Sequence, residues 1–555
     1  MVLLAAATLL GACDSGGDTA GDEPAPTGDT EVTADTSAAP EQDAPPDDTP
    51  STETGPSGDT SPAPDEAADD VPEPGGGGTL AFGVVAGPPS LNPGIGDPAF
   101  AALYQWAYDS LIVLQPDGTF APNLAVDFGY TDDRNMRYEL TLREGVKFSD
   151  GTDLDAEALK GYFEYVQSQP TSLALLFARV ASIEVIGPHS LGLELSEPDP
   201  GLNFAFAQGF GGGNVISPAA LASPETLDLG TAGAGPYMLV PEESVPNDTY
   251  TFVPNLHYWN PGRVHWDEVV VRVIPNSSSI IEALRAGQLQ AAQGDATTMT
   301  AAAEAGITVV GAPMSIVGIN LVDREGTLSA PLGDVRVRRA LNHAVDRDAV
   351  AAALLGDSRF ALSQYALVGH RGYDPALDEV NAYDPERARQ LLDDAGYGEG
   401  VTIEVLDASL IGLDILVQAI AGQLTEVGVT LDRTTVADPT AYFTGMVTAQ
   451  YPAVALFYGV SSMQGYKAFF IDPSGPFNPF GTVDPEIDAL YAEYYSTTGD
   501  TSAIERQINA RLVDQAWVLP VMGSPLPWYL AEGLTGIEAT SANSSIPTLV
   551  DIRPR

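Results

Sequence analysis

The sequence predicts an α/β protein whose folded body holds at least two lobes. Its 477 residues from 79 to 555 exceed what one hydrophobic core of ordinary size organises. Beyond Pro331, helical spacing of apolar residues alternates with short runs of strand character, the pattern of a largely parallel sheet. No apolar run in this body reaches 18 residues, the length at which a spanning helix becomes a candidate.

Taken in order, 79–85 reads as a first strand and 99–111 as a helix with large apolar residues at helical spacing. Residues 137–142 alternate as a strand. Asp155 is placed to cap a helix running to about Val166, and 182–195 reads as a hairpin turning at Gly187-Pro188. A strand is expected over 267–274 and a helix over 278–286. In the second half, helices near 335–355, 385–395, 412–427 and 485–516 alternate with strands near 401–406, 429–433 and 453–458. Asp384-Pro385 is a sound helix start, with a capping carboxylate followed by proline at the first helical position.

The N-terminus is of another kind. Residues 2–10 are Val, Leu and Ala with only Thr8 interrupting, and Leu10-Gly11-Ala12-Cys13 follows. A short apolar run ending in small residues is a secretory signal, too short to span a bilayer. The LGAC segment resembles the lipobox of bacterial lipoproteins. That resemblance implies cleavage of 1–12 and lipidation of Cys13, the only cysteine of the chain. No Lys or Arg precedes the run, which points to a start codon assigned too late.

From Asp14 to Gly78 there are 18 acidic residues and no Lys, Arg or aromatic residue. Such a stretch buries too little apolar surface to offset its chain entropy, so 13–78 reads as an acidic, disordered tether spanning roughly 45 Å.

The whole chain carries a formal charge of −52, and the body retains −34 once the tether acids are set aside. Phosphate backbones would be repelled, which argues against nucleic acid as a partner. With its one cysteine at the lipobox, the body has neither disulfides nor a thiolate zinc site. The five histidines (189, 257, 265, 343, 370) show no metal-ligand pairing and no HExxH. Gly209-Phe210-Gly211-Gly212-Gly213-Asn214 lacks a following GK[ST], so it reads as a tight turn. No GxSxG elbow is present, and no cofactor is implied.

Several segments carry a resemblance. LREGVKFSDGTDLDAEALK over 142–160 closely resembles a signature of family 5 bacterial extracellular solute-binding proteins, the peptide- and nickel-binding components of ABC importers. SLNP at 90–93 and YDSL at 108–111 match its early loop and following helix. GAGPY at 233–237 resembles its GTGPY turn, and NLHYWN at 255–260 its NPNYW segment. DVRVRRALNHAVDRD at 334–348 and YDPERARQLLDDAGY at 383–397 match its second-lobe helices. These segments stand in the family's order.

The resemblance implies a two-lobed periplasmic-binding-protein-like clamp, type II and cluster C-like. Lobe I would be 79–317 with 525–555, and lobe II 318–524. Hinge crossings are expected near Gly318 to Leu321 and Met522 to Trp528. It further implies no enzyme. The expected function is a monomeric, lipid-anchored receptor outside the cytoplasm (periplasmic where an outer membrane exists), which captures an oligopeptide or similar solute and hands it to a permease. A sensing or chaperone receptor on the same scaffold is the alternative, and a carboxylate-dependent hydrolase a distant third.

The cleft residues implied are Asn92, Tyr365, Phe457, Tyr458, Ser461 and Ser462, whereas Trp106 and Trp259 read as structural. In peptide binders of this family an aspartate that pairs with the peptide amine falls at or near Ser461, and a hydroxyl cannot make that charge-assisted bond. This favours larger peptides, sugars or other organic solutes over dipeptides.

An acidic surface with only three lysines suits a saline exterior. Thermal unfolding followed across a salt series should show its stability minimum at the lowest ionic strength; a flat profile would remove this reading.

Overall fold

The computed structural model describes residues 76–555 apart from Asp97, Leu410, Ile411, Val460, Ser461, Ser462, Ser544 and Ser545. The signal run, Cys13 and the acidic stretch up to Gly75 lie outside the described residues, as do Ser461 and Ser462.

Gly76 to Gly78, expected as the end of the tether, already belong to the body. The amides of Gly76 and Gly78 donate to the Asp267 carboxylate at 2.6 and 3.1 Å. Gly77 lies so close to the His265 carbonyl that a Cβ there would fall 2.3 Å from its oxygen, which only glycine permits.

Lobe I is built on a seven-stranded sheet. Its order is Thr308–Val310, Trp528–Leu530, Ala291–Gln293, Thr79–Val84, Glu268–Val273, Thr249–Pro254, Tyr237–Leu239. Thr79–Val84 runs parallel to both its neighbours, and the remaining pairs are antiparallel. Trp528 and Leu530 join the large core on one face, where Phe82 packs edge-on to Trp106 at 5.9 Å. Tyr529, between them, joins a smaller cluster with Ile280, Leu284 and Leu289 on the other face, as a period of two requires.

A four-stranded antiparallel sheet, Ala125–Tyr130, Arg137–Leu142, Ser190–Leu195 and Val180–Gly187, adds a subdomain covered by the helix Ala156–Ser168. Asp155 caps that helix as expected, accepting from the Ala158 amide at 2.8 Å.

The helix expected over 99–111 is α-helical only at Ala101–Ala107. Tyr108 turns extended, and Asp109 is drawn inward to accept from the Tyr258 hydroxyl and the Trp259 indole, both at 3.0 Å. Burial raises the Asp109 pKa against those bonds and the nearby Arg263. Two of the family-like motifs, YDSL and NLHYWN, thus form one internal joint.

Lobe II is built on a five-stranded sheet in the order Val429–Val436, Val401–Ala408, Ala453–Gly459, Pro313–Asn320, Val518–Pro525. The first three strands are mutually parallel, and the last two run antiparallel to their neighbours. The two lobe sheets connect only through 311–312 and 526–527. The first crossing therefore comes earlier than 318–321, because Pro313–Asn320 is a strand of the second sheet, paired on both sides.

The helix expected over 335–355 is two, Val335–His343 and Arg347–Leu355, since Asp346 caps a fresh start. That over 485–516 is also two, Pro485–Ser496 and Ser502–Gln515, parted by a turn in which Gly499 is left-handed.

Three arginines are buried in this lobe and bonded to carbonyls and amides. Arg347 donates to the Pro520, Asn342 and Asn381 carbonyls at 2.7 to 2.9 Å and to Asn342 Oδ1 at 2.8 Å. Desolvation pulls its pKa down to about 10. Replacing Arg347 with Met strands several buried acceptors, each worth about 1–3 kcal/mol. We expect Arg347→Met to lose at least about 3 kcal/mol in urea unfolding.

Candidate functional site

The parallel strands of lobe II set the geometry. From Val401–Ala408 the chain passes through the helix Leu413–Glu426 to Val429–Val436 on one side. It then returns through the helix Pro439–Val447 to Ala453–Gly459 on the other. The carboxyl ends of Val401–Ala408 and Ala453–Gly459 therefore flank a topological switch point, where open α/β sheets form a crevice.

Register places the hinge at that same edge. Gly459 pairs with Ser315, Ser315 with Ser524, and Pro313 with Pro525. Ser315 is fully buried and its hydroxyl donates to the Ser524 carbonyl at 3.3 Å. The crevice and both crossings thus share one end of the sheet.

The expected cleft residues are not gathered at this edge as a set. Asn92 is buried and spends its side chain within lobe I, donating to the Tyr165 hydroxyl at 2.8 Å and accepting from the Gly94 amide at 2.9 Å. It holds the 90–96 loop in shape. Tyr365 is a core residue: it is 1% exposed, and its hydroxyl accepts from the Val518 amide, at the end of that strand remote from the hinge. Desolvation drives its pKa upward.

Tyr458 lies near the hinge, level with Ile316, in a cluster with Tyr466, Phe469, Phe470 and Phe477. Phe457, one residue earlier on the strand, is only partly buried. Ser461 and Ser462 follow directly and lie outside the described residues. Trp106 is fully buried, and Trp259 is held by Asp109 beneath the Arg143 guanidinium at 4.1 Å. Among the described residues, no group of three or more His, Cys, Asp or Glu is arranged to hold a metal ion. No described helix is long and apolar enough to cross a membrane.

What the sequence reading missed is the set of contacts across the gap. Gln464 of lobe II donates to Asp199 of lobe I at 3.1 Å, and Asp199 also accepts from the Gly201 amide at 2.8 Å. Burial holds the Asp199 carboxyl above its ordinary range, opposed by those bonds and by Arg179. On another stretch, the His370 ring of lobe II bonds the Ser541 carbonyl of the C-terminal segment at 2.8 Å. In sequence these are ordinary turn residues with no common spacing.

Residues 119–484 match the family described as bacterial extracellular solute-binding proteins, family 5 Middle. The chain belongs to this family. It is 28% identical over 315 residues to the glutathione-binding protein GsiB of Salmonella paratyphi A, covering 53% of this chain and 56% of that one. It is 28% identical over 375 residues to the nickel-binding periplasmic protein of Escherichia coli, covering 62% and 67%. The chain thus spans just over half the length of its glutathione-binding relatives.

Among solved structures it resembles the substrate-binding protein CtaP of Listeria monocytogenes (TM-score 0.73, 19% identity, 86% of this chain and 99% of that one). It also resembles NikA of Brucella suis in complex with Fe(III)-EDTA (TM-score 0.73, 23% identity, 86% and 100%). These likenesses establish the two-lobed periplasmic-binding-protein-like fold of family 5.

Desolvation holds the partly exposed His370 imidazole below its ordinary 6.5, against the Ser541 bond. A histidine with a depressed pKa supports the packed state above its free value and withdraws that support as pH falls below it. Acidification from about pH 7 to about pH 5 should therefore increase the radius of gyration in small-angle scattering as this contact opens. His370→Gln should flatten the response; an unchanged profile would remove His370 from this role.

Proposed function

We propose that the chain is the substrate-binding component of an ABC importer. It takes a small organic solute, an oligopeptide or a compound of similar size, between its lobes and presents it to a permease. Family membership supports the class. The observation that carries the reading is the coincidence of the switch-point crevice with both hinge crossings, so that a solute held there touches both lobes at their pivot.

Differential affinity is the mechanism: solute stabilises closed lobes, and the permease reads that state. Catalysis has no part in it. The cleft proposal centres on Phe457, Tyr458 and the Ser461–Ser462 segment, with the 90–96 loop opposite. Names of relatives extend the solute panel to glutathione and metal chelates. The neutral residue at 461 weighs against dipeptides held by their amine. Cleavage before a lipidated Cys13 would place the protein outside the cytoplasm on a membrane leash.

Native mass spectrometry of the protein from a host grown without added solute should show a retained species of defined mass. Thermal shift against oligopeptides, glutathione, sugars and metal chelates follows. A true ligand at 100 times its dissociation constant adds ~2.7 kcal/mol of stability. A bare mass together with no shift from any class would overturn the solute-binding reading.

A further inference from the structure

The lobe II helix Pro485–Ser496 satisfies part of its last turn from within: the Thr497 amide returns to the Tyr494 carbonyl, and the Ser496 and Thr497 hydroxyls donate to the Ala492 and Glu493 carbonyls. Carbonyls at a helix C-terminus need donors and carry partial negative charge. The outermost carbonyls, those of Tyr495 and Thr497, take donors from the other lobe. Asn135 Nδ2 donates to the Tyr495 carbonyl at 3.2 Å and to the Thr497 carbonyl at 2.8 Å. The Arg179 guanidinium lies 4.6 Å over the Tyr495 ring, adding a cation at the same terminus.

The donor side is rigidly built. Asn135 is 1% exposed and sits at φ +53° in the turn between Ala125–Tyr130 and Arg137–Leu142. That backbone region suits asparagine better than most residues. Asp132 Oδ1 accepts from the Met136 and Arg137 amides and fixes the turn. The Asn135 carbonyl accepts from the Asp199 amide at 3.2 Å, which couples it to the residue that receives Gln464. Arg179 is tied to its own lobe through the Pro198 carbonyl at 2.9 Å.

We propose that lobe I completes the C-terminal capping of this lobe II helix across the cleft, making Asn135, with Arg179 and Asp199, a latch that holds the lobes together before any solute arrives. The inference rests on the reading that the lobes open and close. Opening exchanges two hydrogen bonds for water and unstacks one cation, so the latch biases the closed fraction. Apparent solute affinity scales with that fraction.

The test is a distance measurement without solute. In the full chain carrying Cys13→Ser, spin labels at Ser182→Cys on lobe I and Ala492→Cys on the capped helix report the gap by pulsed electron resonance. Asn135→Asp keeps the shape and the tolerance for positive φ but presents a carboxylate to the carbonyls. Asn135→Gly keeps the backbone and removes the donor. Each should shift the distribution toward the longer distance, raising the open-to-closed ratio on the order of tenfold, while the cooperative thermal transition persists. Should the aspartate variant fail to fold, the glycine variant reads the same quantity. A wild-type distribution in either folded variant, or an open distribution in the wild type, would overturn the latch. The measurement uses no solute, so failure of the import reading shows separately, as absence of binding with the distances intact.

Discussion

Two neighbouring antiparallel strands, Pro313–Asn320 and Val518–Pro525, carry every covalent link between the lobes. They enter lobe II side by side, so main-chain hydrogen bonds clamp the two crossings into one pivot instead of two independent linkers. The pairing shifts register at Val317/Gly318, and here a Cβ on Gly318 would stand 2.2 Å from the Leu519 carbonyl oxygen. Glycine is what lets the strands close over that irregularity. The crevice, the pivot and the contacts across the gap all take their positions from this pair.

The second constraint is charge. A chain with 76 acidic and 24 basic residues nevertheless sends Arg324, Arg338 and Arg347 into the interior of one lobe. Arg338 holds the Leu332 and Gln515 carbonyls. Arg324 lies 4.0 Å over Trp517 and reaches Asn320 and Asn478. Desolvation depresses all three, Arg324 to about 9. A guanidinium spreads its charge over a planar fork, which makes such burial tolerable where an ammonium would lose its proton. Their partners include Asn320 and Pro520 on the pivot strands and Gln515 just before the second of them, so the arginines brace the end of that strand pair remote from the hinge.

Much of this was legible from residues. Asp155 and Asp384 cap the helices they were expected to start, the strand 137–142 has its expected limits, and the expected hairpin turns one residue later than Gly187-Pro188, at Pro188-His189 between the paired Gly187 and Ser190. Local rules suffice there because each signal is complete within a few residues. Pro313–Asn320 escaped because its two faces are covered by distant chain, leaving PMSIVGIN without alternation and with proline and glycine that read as a joint.

The candidate site was the least legible part. An aromatic residue such as Tyr365 looks the same in sequence whether it faces solute or core, and burial decided for the core. Asn135, Asp199, Gln464 and Tyr495 meet only after both lobes exist, so no window of sequence holds them together.

The same topology bears on assembly. Strand Trp528–Leu530 lies inside the lobe I sheet, pairing with Ala291–Gln293 on one side and Thr308–Val310 on the other. Lobe II, by contrast, is drawn from the continuous stretch 313–525. In synthesis from the N-terminus, lobe II can be complete while lobe I still waits for its last interior strand. The pairing of Val310 with Trp528 closes a loop of more than two hundred residues, and a collapsed lobe II shortens that search by bringing Pro313 beside Pro525. The inserted lobe thus shortens the closure that completes the lobe surrounding it.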